Sequence, residues 1–237
     1  MTNYNEYGQP IGLAVPHWIP REYPSLNLIV GQYCRLERIN SSKHADSLYL
    51  SYQMAQDDRN WTYIPVGPFS ERSEFDKYIE DLESSQHSLY YAIIDPLTGN
   101  ALGTLALMRI DPQNGTIEIG HVVYSPKLKK TRIATEAQFL LMNYALEQLG
   151  YRRYEWKCDA LNEPSRKAAI RLGFTFEGIF RNAIVYKGRS RDTAWYSITN
   201  EDWPVLKRTF EEWLSPSNFD DNGNQLLTLS FQYVRKA

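Results

Sequence analysis

The sequence predicts a mixed α/β domain, and three observations carry that prediction. Short apolar runs bounded by Gly, Pro, Asn or Asp recur at 28–39, 88–94, 101–110, 116–124, 154–158, 174–187 and 191–198, the pattern of strands. Between them, apolar residues at three- and four-residue steps mark helices at 43–56, about 70–85, 133–149 and 201–214, with a short one after Asn162. The resulting order, β-α-α-β-β-β-α-β-α-β-β-α, fits neither a bundle nor a sandwich.

Each element has a local reason. Residues 1–27 are rich in Pro and Tyr and read as an extended arm, held to the body by Trp18 and Ile19. The strand at 28–39 runs into Asn40-Ser41-Ser42, a cap for the first helix. Trp61, Tyr63, Pro65, Pro68 and Phe69 punctuate a loop, after which Phe75, Tyr78, Ile79 and Leu82 fall at helical spacing. Asp95-Pro96 through Asn100 and Asp111-Pro112 through Gly115 are turns of a meander. From Ile133 the residues Ala137, Leu140, Leu141, Tyr144 and Ala145 share a helical face, with Gly150 as terminator. Lys187-Gly188-Arg189 turns a long hairpin. Residues 28–214 therefore form the domain, and 215–237 a polar tail that turns apolar again at 226–233.

Composition bounds the partners. With 43% hydrophobic residues the chain has ample material for a core, and a net charge of -2 gives no general affinity for nucleic acid or membrane surfaces. Cys34 and Cys158 are too few for a disulfide framework, which fits a reducing compartment. No apolar run approaches the ~20 residues of a membrane span, and MTNYNEYGQP lacks signal-peptide regions. A cytoplasmic protein is expected, with the nucleus open. His17, His44, His87 and His121 show no ligand spacing, so no metal is expected.

The chemistry concentrates in two segments, TIEIGHVVYSPKLKKTRIATEA at 116–137 and NEPSRKAAIRLGF at 162–174. Lys127, Lys129, Lys130 and Arg132 crowd ahead of a helix whose first N–H groups lack partners, a seat for a diphosphate; the plainer readings are a solvated basic turn or a nucleic-acid patch. Glu118 sits mid-strand, by alternation opposite Ile117, Ile119 and Val123. A carboxylate inside a sheet is either ion-paired or a general base. Alternation puts His121 on the Ile117 side, as a packed histidine. Asn162 is an N-cap for Pro164 and Ser165, and Glu136 suits a helix dipole. Trp61, Tyr63, Phe69, Tyr186 and Trp195 are either pocket lining or core aromatics, and Arg181, Arg189, Arg191 and Asp192 read as a charge network on the hairpin.

Four stretches, EIGHVVYSP, KKTRIATEA, NEPSRKAAIRLGF and EGIFRNAIVYKGRSRDTAWYSI with Asp202-Trp203-Pro204, together resemble the GNAT superfamily of acyl-CoA N-acyltransferases, in the branch of the ribosomal-protein acetyltransferases RimJ and RimL. The resemblance spans about 28–214. It implies a central, mostly antiparallel sheet with helices on both faces, splayed between the fourth and fifth strands counted above. It also implies acetyl-CoA as co-substrate, with pantetheine along Val122, Val123 and Tyr124 and pyrophosphate on Lys129, Lys130, Thr131, Arg132, Ile133 and Ala134. Asn162 would bond pantetheine, Ser165 would face the thioester sulfur, Glu118 would act as base, and Lys167 or Arg171 would reach the adenosine 3′-phosphate. An amine would be the acceptor, a small molecule or a protein N-terminus. The arm and tail would cap its cleft or form a homodimer contact. The family's loop carries Gly where this chain has Arg132, which keeps open a CoA-binding sensor of the same fold; a basic-loop nucleic-acid binder is the lesser alternative.

Overall fold

The protein is described by a computed structural model covering residues 3–231, so the two first residues of the arm and the end of the apolar stretch at 226–233 lie outside the described residues. Two short strands, β1 (Asn3–Tyr4) and β2 (Pro10–Ile11), pair as a ribbon at the start of the arm. From Trp18 onward the arm lies against the body, but Ile19, expected to help hold it there, is exposed, as are Leu13 and Val15 before it. Trp18 Nε1 donates to the Gln113 carbonyl at 2.9 Å, and the Tyr144 hydroxyl accepts from the Ser25 and Leu26 N–H groups at 2.8 and 3.2 Å.

The strand expected at 28–39 is instead a hairpin of β3 (Leu28–Val30) and β4 (Arg35–Arg38). Its turn is organised by Glu136, whose buried carboxylate accepts from the N–H groups of Gln32, Tyr33 and Cys34 at 2.8, 2.7 and 2.7 Å. A Cβ on Gly31 would come within 2.5 Å of that carboxylate, so the turn requires glycine. Glu136 thus fixes a distant turn, where the sequence had pointed only to a helix dipole.

Next come α1 (Ser41–Gln53), a 3₁₀ turn (Asp58–Trp61) and α2 (Arg72–Glu83), then the meander β5 (Leu89–Ile94), β6 (Ala101–Asp111) and β7 (Thr116–Tyr124). Helix α3 (Arg132–Met142) widens into a π-helical turn, Asn143–Gln148, where an uninterrupted helix was expected. β8 (Arg153–Asp159), α4 (Glu163–Arg171), the hairpin β9 (Thr175–Tyr186) and β10 (Arg189–Thr199), and α5 (Trp203–Leu214) complete the domain.

The main sheet has the order β3-β4-β5-β6-β7-β8-β10-β9, antiparallel except for β7 beside β8. One face carries α3, α4 and α5 over a core that includes Ile117, Ile119, Leu141, Tyr154, Ala169 and Phe210. The other carries α1 and α2 over Leu48, Tyr52, Trp61, Phe75, Ile79 and Val123. The tail crosses α5: Asn218 accepts from the Leu227 N–H at 2.7 Å and donates to the Trp213 carbonyl at 2.9 Å. Among the described residues, no helix is long and apolar enough to cross a membrane.

Two bulges decide which side chains face which side. The β6–β7 register slips between Thr104 and Ala106 and between Met108 and Asp111, and His121 and Arg109 take φ values of 49° and 46°. Past Gly120 the alternation of β7 is therefore shifted by one. Val123 belongs to the α1/α2 core, on the face opposite Ile117 and Ile119, and His121 packs between Tyr78 and Tyr90 on that same face. Simple alternation had put both residues on the wrong side.

Candidate active site

β7 and β8 pair only from Thr116 to Ile119 against Arg153 to Trp156. Beyond that point β7 stays with β6 as far as Tyr124, and β8 stays with β10 as far as Asp159. A parallel pair that parts inside a sheet leaves alternate N–H and C=O groups of both strands facing a gap, where an elongated polar molecule can take the place of the missing neighbour. Val122 and Tyr124 border this gap on the α3 side.

The loop after β7 delivers the chain to the mouth of the gap. Thr131 caps α3, accepting from the Ala134 N–H at 3.2 Å and donating to the Leu128 carbonyl at 2.7 Å. Lys129 N–H bonds the Ser125 carbonyl and Thr131 N–H the Leu128 carbonyl. Of the six residues expected to present N–H groups, Lys130, Arg132 and Ile133 are left without an N–H partner among the described residues. Lys130 adopts φ 63°, a left-handed conformation that costs a side-chain-bearing residue roughly 1–2 kcal/mol and that turns the chain into the helix. Three free donors at a helix N-terminus make an anion seat.

Arg132, at the first position of α3, does not cover that seat. Its guanidinium lies over the ring of Tyr33 at 4.4 Å and that of Phe219 at 5.2 Å, clamped between the β3–β4 turn and the tail. Lys129 reaches instead to the Asn60 side chain.

Facing the seat across the gap, α4 starts at Asn162, whose side chain accepts from the Ser165 N–H at 3.2 Å. Among the described residues the Ser165 hydroxyl makes no bond to the backbone. It accepts from the Trp156 indole N–H at 3.0 Å and stands within hydrogen-bonding reach of the Cys158 thiol.

Glu118 lies on the opposite face, buried, in ion pairs through Oε2 with Lys157 and Arg109, both at 2.9 Å. Lys157 also pairs with Glu155 at 2.7 Å and lies over the Trp195 ring at 3.8 Å. Among the described residues Oε1 makes no hydrogen bond, and it lies beside Gly120, where the strands part. Burial raises the Glu118 carboxyl above its ordinary range; Lys157 and Arg109 oppose that shift without cancelling it. His121 is different: burial pushes its pKa down to about 4, so a neutral imbedded ring bonds the Tyr78 hydroxyl at 2.8 Å.

Past the gap three segments meet. Tyr186 donates to buried Asp159 at 2.8 Å, and burial, reinforced by that carboxylate, pushes its phenol up to about 12. Tyr63 donates to the Leu161 carbonyl at 3.1 Å; Lys187 and Arg189 bond the carbonyls of Trp61 and Thr62 at 2.7 and 2.9 Å. Tyr63 and Tyr186 therefore sit where these segments meet. Trp61 and Phe69 do not: they pack edge-to-face at 5.1 Å within the α1/α2 core. Trp195 also sits apart, six residues along β10 from the hairpin tip, roughly 20 Å at strand spacing, against Lys157 and Phe180. The expected hairpin charge network is absent among the described residues; Arg191 bonds Thr193 and Asp192 bonds the Asn182 N–H.

A model of the GNAT acetyltransferase domain matches residues 35–175. The chain is 30% identical to an uncharacterized N-acetyltransferase, p20, of Bacillus licheniformis, over 60% of this chain and 80% of that one. It is 35% identical to the ribosomal-protein-serine acetyltransferase of Escherichia coli, over 35% and 45%. A crystal structure of a GCN5-related N-acetyltransferase from Brucella melitensis superposes with a TM-score of 0.88 at 45% identity, covering 91% of this chain and 97% of that one. The chain belongs to the GNAT acetyltransferase family. It is an N-acetyltransferase by fold and by kinship.

Within this GNAT domain, sequence reasoning missed Arg109, Lys157 and Asp159. Lys157 alternates with Tyr154, Trp156 and Cys158 on one strand and so faces away from their core. That signal was available, but the register that sets Glu118 beside Glu155 was not. Arg109 reaches Glu118 only because of its bulge, which no motif announces.

Proposed function

We propose that this GNAT protein transfers acetyl from acetyl-CoA to an amine by direct attack within a ternary complex. The observation that carries the reading is the parting of β7 and β8 between a free-donor helix N-terminus on one face and a buried, pKa-raised carboxylate on the other. In this reading Lys130, Arg132 and Ile133 N–H groups hold the pyrophosphate, with Lys129, Thr131 and Ala134 shaping the loop. The edge of β7 at Val122, Val123 and Tyr124 bonds pantetheine and polarises the thioester carbonyl. Asn162 adds a polar contact to pantetheine. Ser165, with one lone pair taken by Trp156, donates a hydrogen bond to the departing thiolate, which leaves as such because a thiol is already a fair acid. Glu118 Oε1 takes the proton of the attacking amine, directly or through water, while Oε2 stays with its cations. Tyr63 and Tyr186 border the acceptor's entrance.

A sensor that binds CoA without turnover was motivated by Arg132 in place of glycine. That motive weakens with the Arg132 side chain stacked on Tyr33 and Phe219, clear of the donors. We further read 28–214 as the catalytic domain with 1–27 and 215–237 appended, working in the cytoplasm, where the buried free thiols Cys34 and Cys158 stay reduced. The test is calorimetry with acetyl-CoA beside a mass-spectrometric screen for acetyl transfer to pooled amines and peptides. Binding with product formation supports the reading; tight binding with no product on any acceptor overturns it in favour of the sensor.

A further inference from the structure

Past Glu118, the same face of the sheet ends in a group of cations that the proposed chemistry does not use. Lys157 and Asp159 alternate with Trp156 and Cys158, which belong to the α3/α4 core, so they share the face of Glu118. On β10, Ala194 and Tyr196 belong to that core too, which leaves Thr193 and Arg191 on the Glu118 face; Arg191 Nε donates to the Thr193 hydroxyl at 3.1 Å. The hairpin tip meets the end of β8 there. Tyr186 reaches Asp159, and the Arg189 guanidinium lies over the Tyr186 ring at 5.4 Å. Lys187 and Arg189 hold the carbonyls of Trp61 and Thr62.

These contacts use few of the donors and none of the charge. Lys187 gives one hydrogen bond, Arg189 uses only Nη2 and Arg191 only Nε, and among the described residues none of the three stands in an ion pair. Nearby carboxylates are engaged elsewhere. Asp57 pairs with Arg59 at 2.7 Å, Asp159 accepts from Tyr186 and from the Leu161 N–H at 2.8 Å each, and Asp192 accepts from the Asn182 N–H at 2.8 Å. Asp58 is exposed and makes no ion pair among the described residues. Burial, and after it Arg189, hold the Lys187 ammonium below its ordinary range, as expected of like charges with no anion between them. Three cations fixed by carbonyls, a hydroxyl and a ring, with their charge uncompensated, make a receptor for an anion.

Their distance from Glu118 says what that anion belongs to. Glu118 stands opposite Glu155, and Asp159 is four residues further along β8, roughly 13 Å at strand spacing. Thr193 pairs with Asp159 and Arg191 lies two residues beyond it, roughly 20 Å from the level of Glu118. One acceptor can place its amine at Glu118 and an anion at these cations only if it is extended; at ~3.3–3.6 Å per residue the span is about four to six residues.

We infer that the acceptor is an acidic polypeptide segment, with its amine at Glu118 and its carboxylates, about four to six residues on, against Lys187, Arg189 and Arg191. This rests on the acetyl-transfer reading above and narrows its acceptor. Compact amino acids and polycationic amines lack an anion at that distance.

The test is initial-rate kinetics on the full chain with two ten-residue peptides that differ only at their fourth to sixth residues, carboxylates in one and the matching amides in the other, beside spermidine. The wild type is expected to favour the acidic peptide by about tenfold in kcat/KM, mostly through KM, the product of three exposed charge contacts worth about twofold each. At about 1 M salt, where the screening length is ~3 Å, the ratio should approach one. Arg191→Glu should turn the preference toward the amide peptide, while Arg189→Lys, which keeps the charge, should retain most of it. Each ratio is internal to one protein sample, so partial unfolding of a variant does not mimic the result. Equal kcat/KM of the wild type for the two peptides, a preference undiminished by salt, or transfer to spermidine alone overturns the inference and leaves acetyl transfer standing. A tenfold loss of acetyl-CoA affinity in Arg191→Glu also overturns it, because the cations would then serve the cofactor. Absence of product on every amine of the broader screen defeats the underlying reading as well.

Discussion

Replacing Glu118 with Gln is the sharpest test of the proposed proton route, because the structure separates its effects. The substitution keeps the shape and removes the charge and the proton-accepting oxygen. Lys157 then loses one of two carboxylates but keeps Glu155 at 2.7 Å, and Arg109 is largely exposed, so neither cation is stranded. Breaking a buried pair outright costs about 3–5 kcal/mol; with Glu155 still in place we expect no more than about 2 kcal/mol here. Relief of the buried charge offsets part of that. Binding of acetyl-CoA should hold within about threefold, since α3 and α4 lie on the other face. Turnover is another matter. Loss of general-base help removes roughly 10²–10⁴ of rate, and water in the gap can recover part, so kcat should fall about ten- to a thousand-fold, or ~1.4–4 kcal/mol. The assay is release of the CoA thiol with the best acceptor from the screen, followed against pH. Burial raises the Glu118 carboxyl, so it is fully ionised only above a pH higher than the ordinary glutamate range. The wild-type rate should therefore fall on the acid side through that raised value, and the Gln variant should lose this limb. Turnover within twofold of wild type in the folded variant would refute the assignment.

Four further outcomes are expected. Glu136→Ala leaves the Gln32, Tyr33 and Cys34 N–H groups without their acceptor and should cost about 3–5 kcal/mol at ~1–3 per unsatisfied group, with two of them partly hydrated; a loss under 1 kcal/mol in urea denaturation counts against it. Arg132→Ala removes two ring contacts, worth about 1–2 kcal/mol of stability, yet should change acetyl-CoA affinity by less than threefold; a tenfold loss of affinity would return Arg132 to the phosphate seat. Asn162→Ala should cost about 1 kcal/mol as a lost cap and also weaken acetyl-CoA binding several-fold, whereas unchanged affinity makes it a cap alone. Glu37 is pushed up by burial but more strongly held down, to about 2, by hydrogen bonds from Lys43, Arg35 and His44. Its folded pKa is depressed, so its contribution is fully present above the ordinary glutamate value and is lost as pH falls toward 2. Glu37→Gln should flatten the acid limb of stability, and an unchanged limb would contradict the pairing.

The parts of the fold that follow from periodicity were legible in the sequence: the meander, the long hairpin, the helix starts at Asn40 and Asn162 with their capping side chains. The failures share one physical origin. Residue alternation carries no record of where a strand gains an extra residue, so His121 and Val123 were put on the wrong face by a single bulge at positive φ. The hairpin at Gly31 was hidden for a related reason, since the carboxylate that builds its turn comes from residue 136. Of the candidate site, the loop, its capping Thr131 and the Asn162 start could be read locally. The aromatics could not be sorted, because Trp61 and Tyr63 are two residues apart in sequence yet one faces the α1/α2 core and the other reaches Leu161. Position in a 3₁₀ turn, invisible to composition, makes that difference.

The gap in the sheet also gives a reason for the ion pairs around Glu118. A carboxylate buried alone would be neutral at the pH of the cell and useless as a base, while one fully neutralised by hydrogen bonds would be too weak to accept a proton. Lys157 and Arg109 both bind Oε2, from β8 and β6, and so oppose the effect of burial on the carboxyl without occupying Oε1. Lys157 is in turn held by Glu155 and the face of Trp195, which fixes the ammonium on the side of the carboxylate away from Gly120. The prediction that follows is specific to this division. Lys157→Met, which keeps the length and packing on Trp195 but removes the charge, should raise the pH of the acid limb further, since the lost cation was opposing the effect of burial. It should lower the rate near neutral pH by the fraction of Glu118 that becomes protonated and leave the plateau at high pH close to wild type. A uniform loss of rate at all pH values, with no displacement of the limb, would mean that Lys157 supports the fold around the gap and does not set the protonation of Glu118.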